Sequence, residues 1–198
     1  MRSKISSDLT NKDQLGRNGK GSIPSIYTKS SSKVIGDSTA AALTTLGLVN
    51  KRLYLIPFQT AKQIKLSKIK ISVTTANGNS SCTVGIYNNT TINNEDKPSE
   101  LLVSSDVLLT TSTGDKECLT TFTFNPDTLY WIGVICTGAP TLRALGINSI
   151  FPLLGRVPNN TTCYTHFIRN LTNSILPPIA PTDGTISTGS IPAIYISE

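Results

Sequence analysis

The stretch TLYWIGVICTG, residues 128–138, constrains the fold most, because it is apolar on both faces of any strand it forms. Successive side chains of a β-strand point to opposite faces, so residues 130, 132, 134 and 136 share one face and residues 131, 133 and 135 share the other. A half-exposed strand would alternate with polar residues. We therefore predict a central strand, covered by a second sheet on one face and by the C-terminal region or a neighbouring chain on the other. Its only tryptophan, Trp131, is predicted to fill a core rather than to stack on a ligand.

Other segments between residues 52 and 146 have the period of strands, with turn signals such as NGN (77–79) and NPD (125–127) between them. In KLSKIKISVTT, Ile69, Ile71 and Val73 share a predicted buried face, while Lys68 and Lys70 lie on the wet face. TTINNEDKPSE (90–100) is predicted to be a polar loop, and residues 147–181 mostly long loop. TISTGSIPAIYISE (185–198) has the composition of a strand at a sheet edge. The pattern favours an all-β fold, an antiparallel, jelly-roll-like β-sandwich with an extended N-terminal arm.

Residues 1–45 are predicted to form this arm, and residues 46–198 the sandwich domain. The net charge of +6 is unevenly placed: residues 1–35 hold seven basic and two acidic side chains, a net +5, whereas the rest carries +1. STAAALTTLGLVN (38–50) fits either a helical turn or a strand. The residues expected to anchor the arm by charge are Arg2, Lys4, Lys12, Arg17 and Lys20. A solvated terminus without a partner is the alternative.

The basic arm is predicted to dock on another protein rather than on nucleic acid. Its only aromatic residue is Tyr27, whereas single-stranded nucleic acid is bound by aromatic side chains interleaved with basic ones. No run of about 18 apolar residues and no apolar signal-peptide core is present, so we expect synthesis in a cytoplasm and no membrane insertion. The four cysteines form no CxxC motif, and a cytoplasmic origin argues against disulfides.

The sequence offers few residues for chemistry. His166 is the only histidine, and no GxSxG or HExxH motif is present. His166 and Cys163 are three residues apart, which places them on opposite faces of a strand. Glu95, Asp96 and Glu100 supply too few ligands for calcium and are expected to be solvated. We therefore expect no catalytic residues, no metal, no cofactor and no enzymatic activity.

Three segments in order resemble a known module: RLYLIPF, then GIYNN with a KPSELL return, then LYWIGVICTGAPTLRA. Together, residues 50–146 resemble a β-sandwich module found in bacteriophage tail-fibre and other virion-surface proteins. The resemblance implies a non-enzymatic structural protein of the virion that forms homo-oligomers, often trimers. This chain departs from fibre proteins because a short basic arm stands where a long repetitive shaft is usual. A compact head or tail appendage, or a capsid decoration protein, fits the chain better.

The leading hypothesis is therefore a phage virion protein, made in the host cytoplasm, whose partners are capsid or tail proteins and, where it attaches to the host, a cell-surface glycan. The alternative is a lectin-like carbohydrate-binding module. Such a module needs exposed aromatic and amide side chains on one concave surface. The candidates are Tyr87, Asn88, Asn89 and Tyr164.

Overall fold

The structure, a computed structural model, describes residues 33–34 (backbone only), 43–150, 153–154 and 164–198. Within these residues there are fourteen β-strands and one 3-10 helix, Ile147–Ser149, but no α-helix. In chain order the strands are β1 Lys33–Val34, β2 Thr44–Gly47, β3 Arg52–Phe58, β4 Ile64–Thr75, β5 Ser81–Ile92, β6 Glu95–Ser104, β7 Leu108–Leu109, β8 Gly114–Phe124, β9 Tyr130–Cys136, β10 Thr141–Leu145, β11 His166–Asn170, β12 Thr185–Ser187, β13 Ile191–Pro192 and β14 Tyr195–Ser197.

The strands form two antiparallel sheets, which confirms the predicted all-β sandwich class. Sheet 1 has the order β1-β14-β4-β10-β13, with β8 on β4 and β2 on β10. Sheet 2 has the order β12-β11-β3-β9-β5-β6, with β7 on β5. The jelly-roll-like connectivity stays a prediction.

The main core lies between the two sheets and contains the alternating residues that the sequence placed there. Ile69, Ile71 and Val73 of β4 are buried in it. On the outer face of the same strand, Lys68 and Lys70 form ion pairs with carboxylates of β8, including Lys68 Nζ to Glu117 Oε1 at 3.1 Å. Sheet 1 therefore has one apolar face toward the core and one charged face toward solvent.

Strand β9 lies between β3 and β5, and all seven of its residues are buried. One face belongs to the main core. On the other face, Trp131 and Ile135 form a second apolar cluster beneath residues 171–180, here called the C-terminal strap. The prediction of a central strand covered on both sides is confirmed, and the C-terminal region supplies the second cover.

The strap is held to sheet 2 by apolar contacts and by backbone hydrogen bonds. The Leu101 N–H donates to the Pro178 carbonyl at 2.9 Å, and the Ala180 N–H donates to the Ser99 carbonyl at 2.7 Å. These bonds also cover part of the free edge of β6, which would otherwise present unpaired backbone groups. The strap thus seals one face and part of one edge of sheet 2.

Two opposed glycines make room under the strap. Gly85 and Gly133 are paired across β5 and β9. A Cβ at Gly133 would lie 2.6 Å from Cε2 of Tyr87, whose ring is fully buried. A Cβ at Gly85 would clash with the methyl ends of Leu176 and Leu101, at 2.7 and 2.8 Å, and would lie 3.4 Å from the Val103 carbonyl oxygen. The ring of Tyr87 therefore requires glycine at position 133.

We expect Gly133→Ala to lower the free energy of unfolding by about 2 kcal/mol, the scale of overpacking in a filled core. Gly85→Ala should cost less, because leucine side chains rotate away more easily than a buried ring. Gly78→Ala is the control, since a Cβ there meets nothing within 4 Å. Urea denaturation of the three variants measures this order. Equal losses at positions 133 and 78 would contradict the steric explanation.

The prediction of a polar loop over residues 90–100 is wrong. Strand β5 continues to Ile92, and β6 begins at Glu95. Asn93 and Asn94 form the two-residue turn with φ of 51° and 64°. Asparagine tolerates this left-handed region, and such a turn matches the twist of a hairpin. The strand ends at this tip are exposed, so they lack the apolar alternation that would have identified them.

Two other boundaries also differ from the predictions. Residues 166–170, assigned to long loop, form β11, which pairs with β3 and β12. Lys33–Val34 of the predicted arm are strand residues of sheet 1, where β1 pairs with β14. In the stretch 38–50, for which both a helical turn and a strand were open, Thr44–Gly47 form β2, which pairs with β10. Both β1 and β11 are short, and pairing partners distant in sequence define them as strands.

The expectation that the cysteines stay unpaired is also wrong. Cys82 and Cys136 lie directly opposite each other on β5 and β9 and form a disulfide, with Cα atoms 4.1 Å apart. Close pairs of this kind occur at non-hydrogen-bonded positions of antiparallel ladders. Cys118 is a half-buried free thiol, and Cys163 lies outside the described residues.

Candidate functional site

Tyr87 cannot act as the exposed aromatic of a glycan site, because its ring is fully buried. The sequence correctly placed it out of phase with Val84 and Ile86, facing away from the main core. That second face is covered by the strap, and the Tyr87 hydroxyl donates to the Pro177 carbonyl at 3.0 Å. Burial also raises the pKa of this phenol. Tyr87 therefore holds the strap in place instead of facing solvent.

Asn89 is engaged within the protein at both ends of its amide. Its Oδ1 accepts a hydrogen bond from Trp131 Nε1 at 2.9 Å, and its Nδ2 donates to Asp96 Oδ1 at 2.8 Å. Thr91 Oγ1 donates to the same Asp96 oxygen at 3.2 Å. This chain of bonds ties the protruding β5–β6 hairpin to the buried tryptophan. Sequence reasoning missed it, because the partners Asn89 and Trp131 are 42 residues apart.

We expect Asn89→Ala to cost about 1–2 kcal/mol of stability, because the indole N–H of Trp131 loses its acceptor. The chain has a single tryptophan, so its fluorescence reports directly on this site. Asn88→Ala is the matched control, since Asn88 is exposed and its amide oxygen accepts a bond from the backbone N–H of Asn89, at 2.9 Å, rather than from Trp131. Chemical denaturation followed by tryptophan emission measures both variants. An Asn89→Ala variant as stable as Asn88→Ala would show that water replaces the lost acceptor without cost.

The remaining glycan candidates do not lie together. Asn88 is on β5, whereas Tyr164 is half-buried just before β11. Strands β3 and β9 separate β5 from β11, so three strand spacings, about 14 Å, lie between them. With Tyr87 buried and Asn89 engaged, the four residues do not form the single concave surface that the lectin-like alternative requires.

The anchoring residues Arg2, Lys4, Lys12, Arg17 and Lys20 lie outside the described residues. The described residues nevertheless show where the chain that follows this segment enters the sandwich. Lys33 pairs with Ile196 and Val34 with Tyr195, so the N-terminal segment joins sheet 1 beside the last strand.

The acidic residues of the β6 region make local contacts. Glu95 pairs with Lys97 at 2.8 Å, and the Lys97 ammonium lies 4.9 Å from the ring centre of Phe167. Glu100 is exposed and forms an isolated bridge with Ile179 of the strap. Among the described residues, no group of three histidine, cysteine or acidic side chains is arranged to hold a metal ion.

His166 is buried, with 2% of its surface exposed. Its Nδ1 lies 2.7 Å from Thr165 Oγ1, which also contacts the carbonyls of Ser187 and Gly189 at 3.1 and 2.8 Å. A hydroxyl has one hydrogen, and these carbonyls can only accept it, so we assign the ring hydrogen to Nδ1. Burial lowers the pKa of His166 to about 4, which keeps the ring neutral at pH 7. Its ring stacks on Tyr54, with centres 5.8 Å apart.

No protein-family model matches this chain, and no curated protein has a matching sequence. In the part of the chain that the structure describes, no helix is both long and apolar enough to cross a lipid bilayer.

Proposed function

We propose that the chain is a non-enzymatic structural protein of a tailed-bacteriophage virion, whose β-sandwich is displayed on the particle and whose basic N-terminal arm attaches it. The observation that carries this proposal is the separation of charge. The first 35 residues have a net charge of +5, whereas the remaining 163 have +1. A segment so charged is attracted to acidic surfaces, while a nearly neutral body is not.

The sandwich itself supports a displayed structural role. Both faces of its central strand are filled, and its histidine is buried and neutral at pH 7. The charged residues on the outer face of sheet 1 are largely paired with one another, as Lys68 is with Glu117. The resemblance of residues 50–146 to phage virion-surface modules is the reason for proposing a phage particle as the surface that displays this body.

Replacement of the five anchoring residues by glutamine tests the attachment. We expect the variant to be depleted at least about tenfold from particles purified from the host that carries the gene, because it loses the positive potential that attracts the arm to an acidic docking surface. The control changes Lys51, Lys62, Lys65 and Arg143, four exposed basic residues of the body. Quantitative mass spectrometry of the particles gives the ratio. Normal incorporation of the arm variant, or absence of the native chain from particles, would overturn the proposal.

We further propose that the protein is a homotrimer, as the resemblance implies. Light scattering on the full chain should then give about 64 kDa, three times the 21.2 kDa of one chain. A mass of 21.2 kDa would contradict a trimer in solution. The chain could then form a trimer only when it assembles on the particle.

A further inference from the structure

The disulfide lies where solvent does not reach it. Cys82 and Cys136 face each other in the main core, between the two sheets, with 0% and 1% of their surfaces exposed. Val84 and Val134, the next residues on the same face of each strand, are fully buried as well. The bond is therefore enclosed by the sandwich that it crosslinks.

Chemistry at this bond needs contact with a second molecule. A disulfide is reduced when an external thiolate attacks one of its sulfurs, and it forms when a cysteine thiolate attacks an external disulfide. In either direction a reagent atom must reach a sulfur atom. Because at most 1% of the surface of either cysteine is exposed in the closed sandwich, we infer that the exchange requires the sheets to separate.

We propose that the closed sandwich preserves whichever redox state Cys82 and Cys136 had when it folded. Formation of the bond begins in an open chain, where one cysteine attacks a disulfide-class oxidant and forms a mixed disulfide. The second cysteine then displaces the oxidant's remaining thiol. In total, two cysteine thiols give two electrons and two protons to the oxidant, which is released as two thiols. Once the sheets close, neither this reaction nor its reverse proceeds without reopening.

The proposal does not rest on the virion function, but it has a consequence for any protein that moves between compartments. A chain that closes in a reducing compartment would stay in the dithiol state after release. A chain that closes under oxidising conditions would keep its bond when moved into a reducing one. The conditions under which the chain folds, rather than its later surroundings, would then set the redox state of this pair.

Cys118 provides an internal comparison. It is a free thiol on β8, half-buried, with its Sγ 3.6 Å from Thr120 Oγ1. Among the residues that the structure describes, β8 pairs only with β4, so no described strand covers its other edge. Reagents should reach Cys118 in the folded protein while they fail to reach the buried pair.

The test uses the oxidised full chain carrying Cys118→Ser, which removes the only free thiol among the described residues. The chain is incubated with dithiothreitol in native buffer or in guanidinium, quenched with iodoacetamide and analysed by mass spectrometry after digestion. We expect reduction of the Cys82–Cys136 bond to be at least about a thousandfold slower in native buffer, the scale of the open population of a stable domain. Native reduction within tenfold of the denatured rate would overturn the proposal.

A second variant separates opening of the sandwich from slow chemistry. Gly133→Ala destabilises the same strand, β9, and should accelerate native reduction in proportion to its lost stability. Gly78→Ala, at a position with open space, should leave the rate unchanged. Equal rates for both variants would count against access through opening. The opposite direction uses the native chain, which keeps Cys118. Refolded under reductant and then exposed to oxidised glutathione, it should be modified at Cys118 but not at the buried pair. Equal modification of all three would overturn the proposal.

Discussion

Replacing both Cys82 and Cys136 by alanine should lower the free energy of unfolding by about 4 kcal/mol. The two cysteines are 54 residues apart, and a crosslink that closes a loop of this length removes about this much entropy from the unfolded chain. Cys118→Ala is the matched control, because it removes a thiol that crosslinks nothing. Urea denaturation without reductant gives both values. A double variant no less stable than Cys118→Ala would mean that the bond adds strain equal to its entropic benefit.

Acidification should destabilise the protein through His166. The pKa of this ring is about 4 in the folded state and 6.5 in the unfolded state. Between these two pH values the unfolded chain binds a proton at His166 and the folded chain does not. The contribution of His166 to the free energy of unfolding is therefore fully present above pH 6.5, and it is lost as the pH falls through 4. The shift corresponds to a loss of about 3 kcal/mol at the acid end.

The pH effect is isolated by His166→Asn, which stays neutral and offers an N–H near the position of Nδ1. The variant will be less stable at pH 7, because it loses the stacking on Tyr54. Its stability should nevertheless fall by about 3 kcal/mol less than that of the native chain between pH 7 and pH 4. Parallel curves from denaturant titrations at each pH would show that folding does not lower the pKa of His166.

The sequence predicted those long strands that bury one or both of their faces. The alternation in β4 and the two-sided run of β9 follow from burial alone, so the sequence pattern identified them. The β5–β6 hairpin tip and β11 were missed because their partners, rather than their own apolar pattern, make them strands. The alternation of side chains along β5 correctly predicted that Tyr87 faces away from the main core. Whether that face is exposed to solvent depends on the strap, which is distant in sequence.

The candidate site was less predictable than the fold. The links that matter, Asn89 to Trp131 and Cys82 to Cys136, join residues 42 and 54 positions apart, and no local spacing indicates them. Disulfides were not predicted, because the chain was expected to be made in a cytoplasm. That expectation concerns the place of synthesis and does not indicate which cysteines come into contact. Apart from Lys33 of β1, the charged residues of the predicted arm lie outside the described residues.

The pairing of β1 with β14 also decides where a probe can be attached. Lys33 lies opposite Ile196, so a tag fused after Glu198 would begin within two residues of the point where the basic segment joins the body. Such a tag would crowd the segment whose docking it is meant to report. The Asn93–Asn94 turn is exposed and lies at the tip of the β5–β6 hairpin, in the other sheet. A fluorophore or short epitope inserted there would label the protein without obstructing its attachment.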